Sequence, residues 1–355
     1  MKKKLSKPQF IVAIILSVLV LLLAAAAFVY FYYDSMLETK QSGSLPDAVQ
    51  ANSEEAALSD TINVLVLGIT TESIETGMDF TEGVGLTDIV MYVRYDLKNN
   101  KINVLQIPRD SYVGDISPTG KINAMFQHGD DQVNRIANIA NVIKKDFGLS
   151  TDYYVTIDQS AFRSVIDTMG GIEMYVPWDV ENGYGDIVVE QGTHLIDGAT
   201  AEHIIRQRMQ YSQKDFKRLE MQQYFYKAVF KTFTKDFPVS EMPKLAVNIR
   251  HYFATNFNLM ELANLCIKLT SIKEEDIFMV RCPGGSLTKT SRQGKDESVY
   301  GINKENLLPL LNEHFRPAEL PLTLDDLAIP SGFEYPVGET NDQGKTMGAL
   351  PGSAE

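Results

Sequence analysis

The sequence predicts an α/β fold, a mixed β-sheet with helices on both faces, preceded by one N-terminal transmembrane helix. Short apolar runs rich in β-branched residues alternate with helical segments, a pattern that is typical of α/β sheets. Glycines close several of the segments, which marks their ends. A single uncharged run of 24 residues lies near the N-terminus, ahead of all of them.

Residues 10–33 form this uncharged run, and as a helix they would reach about 36 Å, enough to cross a hydrocarbon core of roughly 30 Å. Lysines in residues 1–9 predict a cytoplasmic tail, so the remaining chain is expected outside the cell. A cleaved signal peptide is the alternative, because Ala24–Ala27 offers small residues. The run, however, exceeds the roughly 7 to 15 residues of a signal core. We therefore predict a single-pass protein of the cell membrane with an extracellular domain.

Composition excludes several functional classes. The formal net charge is -13, which argues against non-specific nucleic-acid binding, because that binding depends on phosphate neutralisation by Lys and Arg. Direct transcriptional control would need a cytoplasmic DNA-binding module, and residues 1–9 are too few for one. We expect no nucleic-acid partner. The sequence has no Cys/His metal pattern, and its two cysteines, Cys266 and Cys282, could form a disulfide or remain thiols.

The first half of the domain is predicted as strands. Polar residues 34–60 predict a stalk, after which the short β-branched run Ile62–Gly68 predicts a buried strand. Two further strands, Ile89–Tyr95 and Ile102–Ile107, are joined by a hairpin-like turn. The second strand leads through a proline into Arg109. This arginine is therefore expected at the rim of the sheet, where the ligand loops of α/β folds collect.

Helices and strands alternate in the next part of the chain. An apolar period from Val133 to Phe147 predicts a helix, and the strand Tyr153–Ile157 follows it. A helix over Gln159–Met169 and a strand over Ile172–Val176 come next. We expect a small hairpin over Ile187–Ile196.

Two helices joined by a loop supply the candidate anion site. Asp197 is expected to cap a helix that ends near Arg208, and Asp215 to cap the next helix. On that second helix Arg218 and Gln222 are four residues apart, so they share a face near its N-terminus. The partial positive charge of that end favours an anion.

The arginines of this region predict a phosphate site. Arg206 and Arg208 approach Arg218 from the end of the preceding helix. Guanidinium forks bind phosphate oxygens bidentately and stay charged at physiological pH, so the expected target is a di-anion. The alternative is a solvated helix face on which Arg218 pairs with Asp215 or Glu220. For an isolated R-x-R that alternative would be the better interpretation.

The C-terminal part is expected to extend the domain and then lose order. Residues 237–315 are predicted as a continuation of the domain, with a strand near Ile277–Val280 and a helix over Lys304–Phe315. Residues 316–355 are rich in proline, glycine and acid, and they predict a largely disordered tail.

Eight short motifs within residues 61–236 follow one another in a specific order. They are INVLVLG, TDIVMYVRYD, INVLQIPRDSYV, KINAMF, DYYVTID, IDTMGGIEMYVP, GTHLIDGATAEHIIRQR and KDFKRLEMQQ. Each is weak alone, but this order closely resembles the LytR-CpsA-Psr family of bacterial cell wall proteins. The resemblance implies that residues 61–236 are a LytR-CpsA-Psr-like catalytic core.

The resemblance implies a membrane-anchored phosphotransferase. Such an enzyme moves a glycopolymer of teichoic acid or capsule type from undecaprenyl pyrophosphate to peptidoglycan, where the implied acceptor is the C6 hydroxyl of N-acetylmuramic acid. It also implies that Mg2+ assists and that an apolar tunnel holds the lipid. Convergent arginines agree with these expectations, because phosphoryl transfer depends mainly on positioning and charge stabilisation.

Individual residues match the motifs of the family. The catalytic residues that the resemblance implies are Arg109 of IPRD and Arg206 and Arg208 of R-x-R. The pyrophosphate-binding residues that it implies are Arg109, Lys121, Arg206, Arg208, Arg218 and Gln222. Asp88 matches the metal-binding acid, in keeping with the one or two carboxylates that Mg2+ takes beside substrate phosphates and water.

The sequence departs from the family pattern at three positions. Thr70 stands where the family usually has Asp, Leu86 where it has Arg, and Met221 where it often has a second Arg. A threonine hydroxyl cannot carry the charge of a carboxylate, so general base catalysis, worth about 10²- to 10⁴-fold, could be lost. Acids of the same loop that could substitute are Glu72, Glu75 and Asp79. The alternative function is therefore a catalytically impaired member that binds polyprenyl phosphates as a carrier, scaffold or wall regulator.

Overall fold

The computed structural model describes most of the domain that follows the predicted stalk. The described residues are 60–70, 85–116, 119–127, 132–182, 184–206, 214–236, 253–257, 265, 268–290, 296–332, 334–335 and 344–352. The predicted cytoplasmic tail, transmembrane anchor and stalk lie outside them, except for Asp60 of the stalk. The loop with Glu72, Glu75 and Asp79 also lies outside the described residues. Among the described residues, no helix combines the length and the apolar character that crossing a bilayer requires.

The regular elements follow the predicted alternation of strands and helices. The strands are β1 (Thr61–Thr70), β2 (Leu86–Asp96), β3 (Lys101–Ile107), β4 (Tyr153–Asp158), β5 (Ile172–Val176), β6 (Val180–Glu181), β7 (Ile187–Val189), β8 (Gly192–Ile196), β9 (Phe253–Thr255), β10 (Ile277–Arg281), β11 (Gly284–Thr290), β12 (Asp296–Ile302) and β13 (Lys345–Thr346). The α-helices are α1 (Gln132–Phe147), α2 (Gln159–Thr168), α3 (Gly198–Arg206), α4 (Lys214–Lys231) and α5 (Lys304–Leu310).

A mixed sheet of seven strands forms the centre of the fold, in the order β13-β10-β3-β2-β1-β4-β9. The pairs β1/β4 and β3/β10 are parallel, whereas the other neighbours are antiparallel. Strands that come from residues 237–315 therefore lie in the same sheet as those from residues 61–236. Parallel and antiparallel pairs together make the sheet mixed, as the sequence predicts.

Both faces of the sheet are buried under helices. Successive side chains of a strand point to opposite faces, and on β2 Val90 and Tyr92 pack in the apolar cluster that contains α1 and α5. Met91 and Val93 pack against the second apolar cluster, which contains residues of α2, α3 and α4. This two-sided packing explains why β1, β2 and β3 read as nearly continuous apolar runs, and it confirms a mixed α/β fold.

The hairpin predicted over Ile187–Ile196 is wrong in its pairing. β7 pairs with β6, and β8 pairs with β5. Pairing with β5 places Ile196 opposite Ile172, and both side chains are buried, at 2% and 0% exposure. A direct β7–β8 hairpin would instead match β8 with Ile187 and Val188, which are exposed. Burial of a cross-strand apolar pair therefore decides the pairing.

The C-terminal segment differs from the disordered tail that we predicted. β13 adds an antiparallel strand to the edge of the sheet beside β10, and Met347 and Leu350 after it are buried. Leu327 and Ile329 are buried in the cluster on the α1 face. The richness of this segment in proline, glycine and acid suggested disorder, but a few well-spaced apolar side chains suffice here because the sheet and helices supply the surface against which they pack.

We expect Met347→Ala to lower the free energy of unfolding by about 2 to 3 kcal/mol, because Met347 is only 3% exposed and its truncation leaves a cavity. Urea unfolding of the full-length protein measures this change. Leu320→Ala is the matched control, since Leu320 lies in the same C-terminal part and is 87% exposed. Equal urea midpoints for the two variants would contradict the packing of this segment.

Candidate functional site

Two of the predicted site residues lie side by side at one end of the inner strands of the sheet. β2 runs antiparallel to both β1 and β3, so the start of β2 lies beside the ends of β1 and β3. Val90 pairs with Ile107 in the β2–β3 ladder, and continuing this register by two residues sets Asp88 opposite Arg109. The Nη1 group of Arg109 donates a hydrogen bond to Oδ1 of Asp88. The predicted metal-binding acid and the predicted catalytic arginine are therefore direct neighbours.

Two further charged residues extend this pair. Nε of Arg109 lies 3.8 Å from Oδ2 of Asp110, and Nζ of Lys121 lies 3.4 Å from Oδ1 of Asp110. We name Asp88, Arg109, Asp110 and Lys121 the rim cluster. Its side chains are between 17% and 25% exposed, so solvent and salt screen these charges less than those of a fully exposed pair.

Main-chain hydrogen bonds hold the segment that contains the rim cluster. The amide of Tyr300 on β12 donates to the carbonyl of Asp110 at 2.8 Å, and the amide of Tyr112 donates to the carbonyl of Tyr300 at 2.9 Å. Tyr112 also forms an isolated antiparallel bridge with Lys121. The β11–β12 hairpin, which we did not predict from the sequence, therefore fixes the loop beyond β3.

α3 begins at the cap that the sequence predicts. Oδ1 of Asp197 accepts a hydrogen bond from the amide of Thr200 at 2.8 Å, and hydrogen bonding with Thr200 lowers the pKa of Asp197. The structure describes this helix as far as Arg206, and its expected end near Arg208 lies outside the described residues. The side chain of Arg206 and the whole of Arg208 lie outside the described residues, so their predicted roles stay predictions.

Asp197→Ala is expected to lower the free energy of unfolding by about 1 kcal/mol, and Asp197→Asn by less, because asparagine also caps helices but lacks the charge of the carboxylate. The lowered pKa means that the ionised cap stabilises the fold above the ordinary pKa of aspartate. This stabilisation is lost as the pH falls through the lower, folded-state pKa. Urea unfolding of wild type and Asp197→Ala at pH 7 and at about pH 2.5 tests this. A difference in the free energy of unfolding that is the same at both pH values would contradict it.

The structure describes α4 from Lys214, so Asp215 lies inside the helix and not at its cap. It places Arg218 in the interior, where its side chain is 2% exposed. A buried guanidinium is costly unless it interacts with polar or charged groups. One neighbour is the buried hydroxyl of Tyr226, whose pKa burial raises and Arg218 partly lowers. Met221, at the position where the family often has a second arginine, is 1% exposed and packs in the apolar cluster.

Gln222 is also buried, at 3% exposure. Its Nε2 group donates a hydrogen bond to the carbonyl of Ile205 at 3.3 Å. The contact therefore holds α4 to the residue directly before Arg206. Binding of phosphate by Gln222 stays a prediction.

The sequence alone did not indicate two further candidate residues, which are Gln106 on β3 and Gln223 on α4. Their side chains are 1% and 5% exposed and are hydrogen-bonded to each other. A glutamine inside the apolar run INVLQI was the signal that could have found Gln106. Strand position 106 faces the cluster with α2, α3 and α4, because Ile102 and Val104 pack there and side chains alternate.

The rim cluster fits Mg2+ by the chemistry of its donors. Asp88 and Asp110 contribute carboxylates on either side of Arg109, and Mg2+ takes one or two such groups together with phosphate oxygens and water. Within the part of the chain that the structure describes, no group of three or more His, Cys, Asp or Glu residues could hold a metal ion. The two carboxylates of the rim cluster therefore suit an ion whose other ligands come from substrate phosphates and water.

Known relatives resemble this chain in sequence. The regulatory protein MsrR of Staphylococcus aureus is 26% identical over 226 residues, which cover 62% of this chain and 67% of MsrR. The polyisoprenyl-teichoic acid--peptidoglycan teichoic acid transferase TagV of Bacillus subtilis is 28% identical over 188 residues, which cover 50% of this chain and 46% of TagV.

Solved structures share the fold. The crystal structure of TagV from B. subtilis matches with a TM-score of 0.58 at 23% identity, over 72% of this chain and 96% of that chain. The structure of TagT bound to LI-WTA matches with a TM-score of 0.57 at 19% identity, over 80% of this chain and 99% of that chain. The LytR_cpsA_psr family model matches residues 27–316, and the chain therefore belongs to the LytR-CpsA-Psr family.

Proposed function

We propose that this protein is a cell wall glycopolymer transferase. It would move a polyprenyl-pyrophosphate-linked glycan, of teichoic acid or capsule type, onto peptidoglycan. The observation that supports this most is the contact of Arg109 with Asp88 at the sheet edge, in a member of the LytR-CpsA-Psr family. The name of the relative TagV describes a transfer of this kind.

The rim cluster is suited to binding a pyrophosphate group. A guanidinium has five N–H donors, and its contacts with Asp88 and Asp110 orient Arg109 without using all of them. Lys121, oriented by Asp110, adds a second cation. In this proposal Arg206, Arg208 and Arg218 supply further positive charge, because a pyrophosphate needs several fixed cations.

Mg2+ is part of the proposal, with Asp88 as its protein ligand. When bound, the ion would neutralise charge on the pyrophosphate oxygens. The chain's own residues perform the remaining work. Arg109 and Lys121 bind and orient the phosphates, and Asp88 and Asp110 hold those two cations in place through ion pairs.

The proposed reaction is a phosphoryl transfer. The acceptor hydroxyl oxygen forms a bond to the phosphorus that bears the glycan, and the bridging P–O bond to the second phosphate breaks. Polyprenyl phosphate leaves with the bonding electrons, and the hydroxyl proton passes to solvent. Negative charge shifts towards the leaving oxygen, where fixed cations stabilise the transition state more than the ground state.

A membrane anchor at residues 10–33 belongs to the same proposal. With the N-terminus in the cytoplasm, such an anchor would keep the domain at the outer face of the cell membrane. Polyprenyl-linked glycans and the peptidoglycan acceptor would both be within reach there.

The test uses the full-length protein in detergent with a polyprenyl-pyrophosphate-linked glycan, Mg2+ and peptidoglycan. We expect release of polyprenyl phosphate together with attachment of glycan to the peptidoglycan. Binding of the lipid with no release of polyprenyl phosphate would instead support the carrier, scaffold or regulator function. A protein that neither binds nor releases the lipid would overturn the proposal.

Thr70→Asp is expected to raise the transfer rate at least about tenfold, because it restores a carboxylate that can accept a proton or bind a metal. Thr70 ends β1 and pairs with Leu86, two residues before Asp88, so the substituted position lies at the same end of the strands as Asp88. Thr70→Asn is the matched control of equal size without the charge. Equal rates for the Asp and Asn variants, in the same transfer assay, would contradict the need for a carboxylate here.

A further inference from the structure

Two buried glutamines connect α4 with the centre of the sheet. Nε2 of Gln223 donates a hydrogen bond to Oε1 of Gln106 at 2.8 Å. Nε2 of Gln106 in turn donates to the carbonyl of Leu219 at 3.3 Å. One side chain of β3 therefore binds two positions of α4 that are one helical turn apart, and this fixes both the rotation and the axial position of the helix.

The sheet end of this connection is rigid. Gln106 lies on a strand with neighbours on both sides, opposite Met91 of β2 and Arg281 of β10. Its carbonyl also accepts a hydrogen bond from the amide of Cys282 at 2.8 Å. Since the main chain of Gln106 is fixed in this way, its side chain can serve as a reference point for the position of α4.

The connection joins two elements that carry predicted phosphate ligands. Gln106 lies three residues before Arg109 on the β3 side, and Gln223 lies five residues after Arg218 on α4. The contact of Gln222 with the carbonyl of Ile205 continues it from α4 to the end of α3. Apolar contacts between α4 and the sheet are non-directional, whereas hydrogen bonds depend on distance and angle.

Stability alone does not account for a buried amide pair. The net gain from a neutral hydrogen bond is small, and replacing both partners by apolar groups of the same shape can be nearly neutral. Losing one partner is different, because it leaves the other buried and unsatisfied. Single and double substitutions therefore separate stability from positioning.

We propose that Gln106 and Gln223 are positioning residues that set the place of α4, and with it Arg218, relative to Arg109 in the rim cluster. This inference rests on the proposed function. The pair does not touch the reacting atoms in this proposal. It acts through the arginines, whose mutual distance determines how well they match the two phosphates of one pyrophosphate group.

The experiment compares full-length wild type, Gln223→Met and the double variant Gln106→Met/Gln223→Met. Each is tested for urea unfolding, for binding of geranylgeranyl pyrophosphate with Mg2+ by calorimetry, and for kcat and KM of transfer. Affinities and rates are expressed per folded molecule, taken from the unfolding curve. Leu311→Val is the stability control, because Leu311 is buried in the cluster on the opposite face of the sheet.

We expect Gln223→Met to lower the urea midpoint and the double variant to regain it. Affinity for geranylgeranyl pyrophosphate and kcat should remain about tenfold lower in both, while Leu311→Val should bind and turn over as wild type does. If Gln223→Met and the double variant both bind geranylgeranyl pyrophosphate and turn over as wild type does, per folded molecule, this inference alone is overturned. A wild type that binds no prenyl pyrophosphate would overturn the proposed function, and this inference with it.

Discussion

Replacing Arg109 by alanine is expected to lower the rate of glycan transfer by about two to three orders of magnitude. An effect of this size is typical when one fixed donor to a developing oxyanion is removed. Arg109 follows the central strand β3, and its contacts with Asp88 and Asp110 orient the guanidinium before the substrate arrives. The loss should therefore appear mainly in kcat, because preorganised charge acts most strongly on the transition state.

Two companion variants make this prediction specific. Arg109→Lys keeps the charge but loses the planar fork, so we expect a rate between those of wild type and Arg109→Ala. Lys101→Ala removes an exposed positive charge from the opposite end of the same strand and should leave the rate unchanged. Release of polyprenyl phosphate is the measurement, with urea unfolding to check the fold. A transfer rate of Arg109→Ala within twofold of wild type would remove Arg109 from the catalytic residues.

The sequence sufficed for the parts of the fold that local patterns determine. Apolar runs set β1, β2 and β3 to within a few residues, because a strand buried on both faces has little choice of residue type. The cap at Asp197 follows from the same local logic, since its carboxylate meets the amide of Thr200 three residues later. The contact of Asp88 with Arg109 follows from antiparallel pairing once both strands are recognised.

Other parts depend on packing between distant segments. The sequence of α4 is polar around Arg218, yet the structure buries this arginine in a helix that packs against α3 and β5. The partner of Gln223 is 117 residues away on β3, and no local pattern indicates such a contact. The same limit applies to β13, whose two residues join the sheet only because β10 offers a free edge there. The hydrogen bond of Gln222 to the carbonyl of Ile205 likewise joins two elements, whereas phosphate binding by Gln222 stays a prediction.

The second large effect that we expect concerns stability and the carboxyl group of Asp146. This side chain lies near the end of α1 and is 2% exposed. Burial raises its pKa to about 7, although the neighbouring Lys145 acts in the opposite direction. In the unfolded chain the group ionises near pH 4. Between about pH 4 and pH 7 unfolding therefore releases a proton, so the free energy of unfolding falls as the pH rises through this range.

Asp146→Asn removes this ionisation while keeping the size and shape of the protonated acid. We expect it to raise the free energy of unfolding by roughly 3 kcal/mol at pH 8 and to have little effect at pH 3.5, where aspartate is largely protonated in both states. Asp96→Asn provides a control of opposite sign. Burial acts to raise the pKa of Asp96, but hydrogen bonds from Asn99 and Lys98 outweigh it and the pKa is lowered.

Asp96 therefore stabilises the fold above its ordinary pKa, and Asp96→Asn should lower the urea midpoint at pH 8 but not at about pH 2. The two substitutions make the same chemical change, so only the surroundings of each carboxylate determine the sign. If Asp146→Asn and wild type unfold at the same urea concentration throughout pH 4 to 8, the carboxylate of Asp146 ionises without penalty. Its burial at the end of α1 would then be relieved by solvent in the native state.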